Sequence, residues 1–210
     1  MYTQVVKLLT DSLVHKGILK TPRIIKAFQA VDRRKFVKPE YDEEAMADEP
    51  LPIGFGQTIS QPLTVAFMLE LLQPEEGSRI LDVGSGSAWS TALLAEIVGK
   101  KGKVYAMELI PQLKAFGQDN LKRAGYASVE LFVGDGSRGL SEFAPYDRIQ
   151  VAAAAREVPH ALLDQLKVGG RLVIPIGKYT QEMVLIEKLK GGEYREQRFP
   201  GFLFVPLVVD

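Results

Sequence analysis

The glycine-rich stretch Pro52-Ile-Gly-Phe-Gly-Gln-Thr-Ile-Ser-Gln-Pro62 ends in two hydroxyls, Thr58 and Ser60, just before a helix opens. Glycine accepts backbone dihedrals that other residues refuse, so such a segment can lie against a ligand and aim a hydroxyl at it. Ser60 could equally serve as the cap of the helix from Gln61 towards Leu72, with Pro62 in its first turn. A second group of small residues, Gly84-Ser-Gly-Ser-Ala88, follows the apolar run Arg79–Val83. Two acids stand at similar junctions: Glu108 after Lys103–Met107, and Asp135 within Gly134-Asp-Gly136.

This inventory excludes several chemistries. The chain has no cysteine and two histidines, His15 and His160, which removes disulfides, thiolate catalysis and imidazole- or thiolate-rich metal centres. Trp89 occupies the place of the third glycine in a dinucleotide fingerprint, and no Gly-Lys-Ser/Thr follows the turn, so nicotinamide, flavin and triphosphate cradles are disfavoured. Carboxylates beside small residues, without a phosphate clamp, suit an adenosine ligand that carries a positive centre. Glu108 can accept from two vicinal ribose hydroxyls, and S-adenosylmethionine fits the description.

The positioning elements follow from periodicity. Strands are expected at Arg79–Val83, Lys103–Met107, Val129–Val133, Arg148–Ala152 and Arg171–Ile176, with helices Ser90–Val98, Pro111–Ala124 and Pro159–Leu166 between them, the last closed by Gly169-Gly170. That alternation is a parallel α/β sheet covered on both faces, with ligands at its carboxyl edge. Beyond Ile176 the rhythm changes, and Met183–Lys190 and Phe202–Val209 read as an antiparallel pair at the sheet edge.

Upstream, Tyr2–Lys16 sets Val5, Leu8, Leu9 and Leu13 against Lys7, Asp11 and Lys16, and Thr21–Val31 carries a threonine cap and a first-turn proline, so both are expected to be helical. Residues 1–75 are therefore expected as a helical appendage with the active-site loop, and 76–210 as the ligand-binding core. Asp32-Arg-Arg-Lys35 reads as a solvated helix end and Asp42–Glu49 as a solvated turn or helix.

With 26 basic and 26 acidic residues, no net field steers the protein to nucleic acid, and no run approaches the ~20 apolar residues of a membrane helix. The start lacks the apolar centre of a signal peptide. The expectation is a cytoplasmic monomer without nucleic-acid, membrane or metal partners.

Several segments together resemble the protein-L-isoaspartate O-methyltransferases. They are Ile53–Pro62, Leu81-Asp-Val-Gly-Ser-Gly-Ser87, Gly134-Asp-Gly136, Ala144-Pro-Tyr-Asp-Arg-Ile149, Gln165–Gly177 and Phe204-Val-Pro-Leu207, in order along nearly the whole chain. The resemblance implies a Rossmann-like class I methyltransferase sheet, mostly parallel with an antiparallel edge strand, plus N-terminal helices. It implies methyl transfer from S-adenosylmethionine, leaving S-adenosylhomocysteine, to the α-carboxylate of L-isoaspartyl residues in damaged proteins and peptides. The ester then returns through a succinimide towards aspartate. By the same resemblance Ser60 is the active-site serine; Thr58, Ile59, Asp82, Gly84, Ser85, Gly86, Glu108, Leu109, Asp135 and Gly136 contact the cofactor; and Thr58, Ser60 and Val205 hold the acceptor.

Two departures stand out. Ala88-Trp89 replaces the family's usual glycine and tyrosine, and Ala154-Ala155-Arg156 replaces the usual alanine-proline. An alanine at 88 is comfortable at negative φ, and at positive φ would crowd the methionine end of the cofactor. Methylation of another carboxylate or small molecule, or cofactor binding without catalysis, are alternative readings of the same residues.

Overall fold

The structure is a computed structural model that describes residues 2–208; Val209 and the side chain of Val5 lie outside the described residues. Helices α1 (Tyr2–His15) and α2 (Pro22–Ala30) lead into a hairpin, β1 (Leu51–Gly54) and β2 (Gln57–Ile59), and helix α3 (Pro62–Leu72). Strands and helices then alternate as β3 (Arg79–Val83), α4 (Trp89–Val98), β4 (Lys103–Glu108), α5 (Pro111–Ala124), β5 (Glu130–Val133), β6 (Tyr146–Val151) and α6 (His160–Gln165). β7 (Leu166–Gly177), β8 (Gln181–Lys188) and β9 (Tyr194–Phe202) complete the chain.

The seven large strands form one sheet in the order β5-β4-β3-β6-β7-β8-β9. β5 to β7 run parallel, while β7–β8 and β8–β9 pair antiparallel. From β3 the chain winds outward to β5 and then returns to β6 on the other side of β3. Order therefore reverses beside β3, and the crevice at that switch point is where open α/β sheets bind ligands.

Residues alternate between two cores. Ile80, Val104 and Ala106 face a cluster built with α1 to α5, including Leu13, Ile24, Phe28, Leu69 and Leu93; Leu81, Val83, Tyr105 and Met107 face the other, built with α6. The N-terminal helices thus share one apolar cluster with the sheet. Fully burying a side chain such as Phe28 or Leu69 is worth roughly 1.5–3 kcal/mol, so this packing fixes the hairpin's approach to the switch point.

Four expectations need correction. Leu8, placed on the apolar stripe of α1, is 67% exposed. Thr21 does not cap α2 with its side chain; its hydroxyl and amide donate to Glu70 of α3 instead. Gly169-Gly170 do not close α6, because β7 begins at Leu166 and the glycines sit where its register against β6 slips. The last strand is the polar stretch Tyr194–Phe202, not Phe202–Val209. An edge strand tolerates charge on both faces, and Arg198 and Arg195 pair with Glu182 and Glu187 of β8. Past Phe202 the apolar tail leaves the sheet and crosses its carboxyl edge, where Pro206 bridges Ala154.

Candidate active site

The Ser60 segment is a hairpin rather than an open loop. Leu51 pairs with Ile59 and Pro52 with Thr58, around a turn in which Gly54, Phe55 and Gly56 all have positive φ. The alternation buries Ile53 and Ile59 and leaves Thr58 facing out towards the switch point. Ser60 follows and is not the helix cap: Gln61 holds that position, and Asp48 accepts from the Leu63 amide at 2.8 Å. A residue of the acidic run has taken the capping role, which leaves the Ser60 hydroxyl uncommitted to it.

At the end of β3, Gly84 and Gly86 adopt φ of 80° and 52°, conformations that only glycine takes without strain. The amides of Gly84 and Ser85 donate to the Met107 carbonyl, and that of Gly86 donates to Glu108 Oε2 at 2.8 Å. With these donors satisfied internally, the turn is not a phosphate cradle. Glu108 Oε1 accepts from the Ile110 amide at 3.0 Å, which fixes a 7%-exposed carboxylate with lone pairs left for a diol.

Two clefts meet here. One, lined by Ile53, Gly84, Glu108, Leu109, Ile110, Gly134, Gly136 and Val205 among others, encloses about 650 Å³. The other, of about 420 Å³, is lined by Thr58, Ile59, Ser60, Ser85, Trp89, Gln150 and their neighbours. Thr58, Gly84, Gly86 and Ala152 belong to both, so the clefts form one elongated site.

Two expected contact residues are held by hydrogen bonds within the protein. Asp82 is fully buried under the turn, where it accepts from Thr91 Oγ1 at 2.6 Å and Gln150 Nε2 at 3.1 Å. Burial raises its pKa to about 6; the Thr91 and Gln150 hydrogen bonds oppose that rise and the Glu108 charge adds to it. Asp135 accepts from the Ser137 amide at 2.9 Å and pairs with Arg138, while the glycines on either side of it line the cleft. Neither carboxylate lines either cleft.

Ala88 has φ of 66°, the strained case for alanine. Yet it lines neither cleft, and its methyl lies against Gly117 of α5, so the strain is borne away from the ligand path. Trp89 is a wall of the Ser60 cleft. Gln150, in an otherwise apolar strand end, escaped the sequence reading; a lone amide among Ile149 and Val151 was the available signal.

The cofactor fit rests on orphaned polar atoms. Among the described residues four buried side-chain atoms have no partner, and three of them, Ser85 Oγ, Trp89 Nε1 and Gln150 Oε1, belong to residues of the Ser60 cleft. Two can donate and one accepts, the complement of an amino acid's carboxylate and ammonium groups. Glu108 and the apolar Ile53, Met107 and Ile110 in the adjoining cleft suit a ribose and base. No group of three or more metal-ligating side chains occurs among the described residues, and no helix among them is long and apolar enough to cross a membrane.

Comparison with known proteins agrees with this geometry. The profile of the protein-L-isoaspartate(D-aspartate) O-methyltransferases matches residues 4–210. Protein-L-isoaspartate O-methyltransferases of Aeropyrum pernix and Thermococcus onnurineus are each 49% identical to this chain. The first match covers 95% of this chain and 78% of the relative; the second covers 94% and 90%. A Plasmodium falciparum protein assigned to the same enzymes, solved with S-adenosyl-L-homocysteine, superposes with a TM-score of 0.85 at 30% identity, over 96% of this chain and 97% of that one. With a profile match over nearly its whole length and a two-cleft site suited to S-adenosylmethionine, the chain belongs to the protein-L-isoaspartate(D-aspartate) O-methyltransferase family.

Proposed function

We propose that this enzyme methylates the free α-carboxylate of L-isoaspartyl residues in damaged proteins and peptides, with the Ser60 hydroxyl orienting the acceptor. The observation that supports the reading is that Asp48 rather than Ser60 caps α3, while Ser60 lines the cleft that continues into the one holding Glu108. When bound, S-adenosylmethionine supplies an electrophilic methyl group on a sulfonium. Glu108 would hold its ribose hydroxyls, and Ser85, Trp89 and Gln150 its amino-acid end.

A carboxylate with an ordinary pKa near ~4 is ionised at neutral pH, so the acceptor needs no general base to become a nucleophile. That accounts for a site whose cleft walls carry neither histidine nor cysteine. The chain contributes alignment and exclusion of water, and good alignment can supply up to ~7–11 kcal/mol of barrier in favourable cases. Ser60 would donate to one carboxylate oxygen of the acceptor and leave the other free as the nucleophile. Val205, in the tail that crosses the carboxyl edge and lines the adjoining cleft, would hold the acceptor backbone. Beyond that tail a broad groove lined by Arg156, Lys178, Tyr179 and Leu203 has room for flanking polypeptide.

Ser60→Ala tests the role. Loss of a hydrogen bond to a charged group, worth about 1.5–3 kcal/mol, corresponds to a fall in turnover of roughly 10- to 150-fold. Calorimetry with S-adenosylhomocysteine is expected to give unchanged affinity. Unchanged turnover on an isoaspartyl peptide would leave Ser60 as backbone scaffolding only.

A further inference from the structure

Arg33 is the least expected residue in the molecule. It is 1% exposed, although the sequence places it among solvated charges. Its Nη1 donates to the carbonyls of Ala45 (2.7 Å) and Ala47 (3.3 Å), and its Nη2 to those of Glu49 (2.9 Å) and Ser60 (3.1 Å). The guanidinium carbon lies 5.1 Å from the centre of the Trp89 ring, which Phe28 meets edge-on at 5.6 Å. Burial lowers the Arg33 pKa to about 10, partly offset by the charge of Asp48, so the cation persists at neutral pH.

Stability alone is a poor reason for this arrangement. Removing a guanidinium from water costs several kcal/mol, and well-packed apolar residues commonly do as well or better in such a place. An apolar residue could not gather four carbonyls. Nor could it offer a flat cation to an indole while gripping the backbone of Ser60. Trp89 is 2% exposed, and it forms part of the wall of the cleft that Ser60 also lines.

We propose that Arg33 and Trp89 form a positioning unit that ties the wall of the cofactor cleft to the backbone of Ser60, so that filling the cleft and seating the acceptor carboxylate reinforce each other. This rests on the acceptor reading given above. A ligand lying along the indole fixes the ring, the ring fixes the guanidinium plane, and the guanidinium fixes the Ser60 carbonyl. Coupling of this kind is reciprocal: the acceptor must tighten cofactor binding by the same factor.

The chain's single tryptophan makes the unit observable. In the unmodified enzyme, saturating S-adenosylhomocysteine is expected to tighten binding of a tryptophan-free isoaspartyl peptide by at least about fivefold. Peptide binding is in turn expected to change Trp89 emission. In Arg33→Lys the point charge cannot stack and grip together. The coupling should fall below about twofold, the emission response to peptide should vanish, and kcat should drop at least about tenfold while circular dichroism stays native.

By calorimetry Trp89→Phe, which keeps a ring under the guanidinium, should retain coupling, and Trp89→Leu should lose it. This pair decides the matter even if the lysine variant folds poorly. Absence of coupling in the unmodified enzyme, or its survival in Arg33→Lys or Trp89→Leu, overturns the proposal. An isoaspartyl peptide that binds in no state would sink the acceptor reading as well, whereas intact methylation with coupling indifferent to Arg33 and Trp89 sinks this inference alone.

Discussion

Asp82→Asn should stabilise the protein at neutral pH while weakening its hold on the cofactor. The native pKa of about 6 compares with ~3.9 for an aspartate in the unfolded chain, a rise of roughly two units or about 3 kcal/mol. Because the folded value is the higher one, the native state binds the proton more tightly. The Asp82 contribution is therefore fully present below pH ~4 and lost as pH rises through about 6. Asparagine carries no such charge, so the stability difference between variant and parent should move by roughly 2 kcal/mol in the variant's favour between pH 4 and 7.5. Guanidinium melts of both proteins across that range measure it directly. The function moves the other way. Gln150 donates to Asp82 through Nε2 and so keeps Oε1 free for the cleft. An asparagine amide no longer enforces that orientation, and affinity for S-adenosylhomocysteine at pH 7.5 should fall about tenfold, or 1.4 kcal/mol. A stability difference that does not change with pH would refute the burial argument. Undiminished affinity would refute the orienting role of Asp82.

Glu108→Gln keeps the shape but replaces an oxygen that accepts from Gly86 or Ile110 by a donor. S-adenosylhomocysteine affinity should fall about 10- to 100-fold by calorimetry, and a fall under twofold would remove Glu108 from ribose binding. Ala88→Gly relieves ~1–2 kcal/mol of left-handed strain but gives back ~0.4–1 kcal/mol of unfolded-state entropy and about 0.8 kcal/mol of buried methyl. Stability should stay within about 1 kcal/mol and cofactor affinity should not change; a tenfold gain in affinity would mean that the methyl does crowd the ligand.

The parallel sheet was legible because β3 and β4 are short, mainly apolar runs separated by helical periodicity, and burial on both faces enforces that pattern in the sheet's interior strands. Small residues at the end of β3 and a carboxylate at the end of β4 marked the same edge for the same reason. What stayed hidden depends on contacts distant in sequence. Arg33 reads as a surface charge until residues 45–60 fold over it and present their carbonyls. Asp48 reads as part of a solvated run until it caps α3, fifteen residues on, in place of Ser60. Local polarity also misled at the carboxyl terminus, where the charged stretch takes the edge strand and the apolar one crosses the site. Asp82 and Asp135 stand at the expected edge, and only the packing shows their partners, Thr91 and Gln150 for Asp82 and Arg138 for Asp135.

The most direct test is a pair of peptides identical except for one residue, L-isoaspartyl in one and L-aspartyl in the other, incubated with the enzyme and methyl-labelled S-adenosylmethionine. The expected result is base-labile methyl ester on the isoaspartyl peptide and none above background on its twin. Ester on both alike, or on neither while S-adenosylhomocysteine still binds, would contradict the assignment of the acceptor.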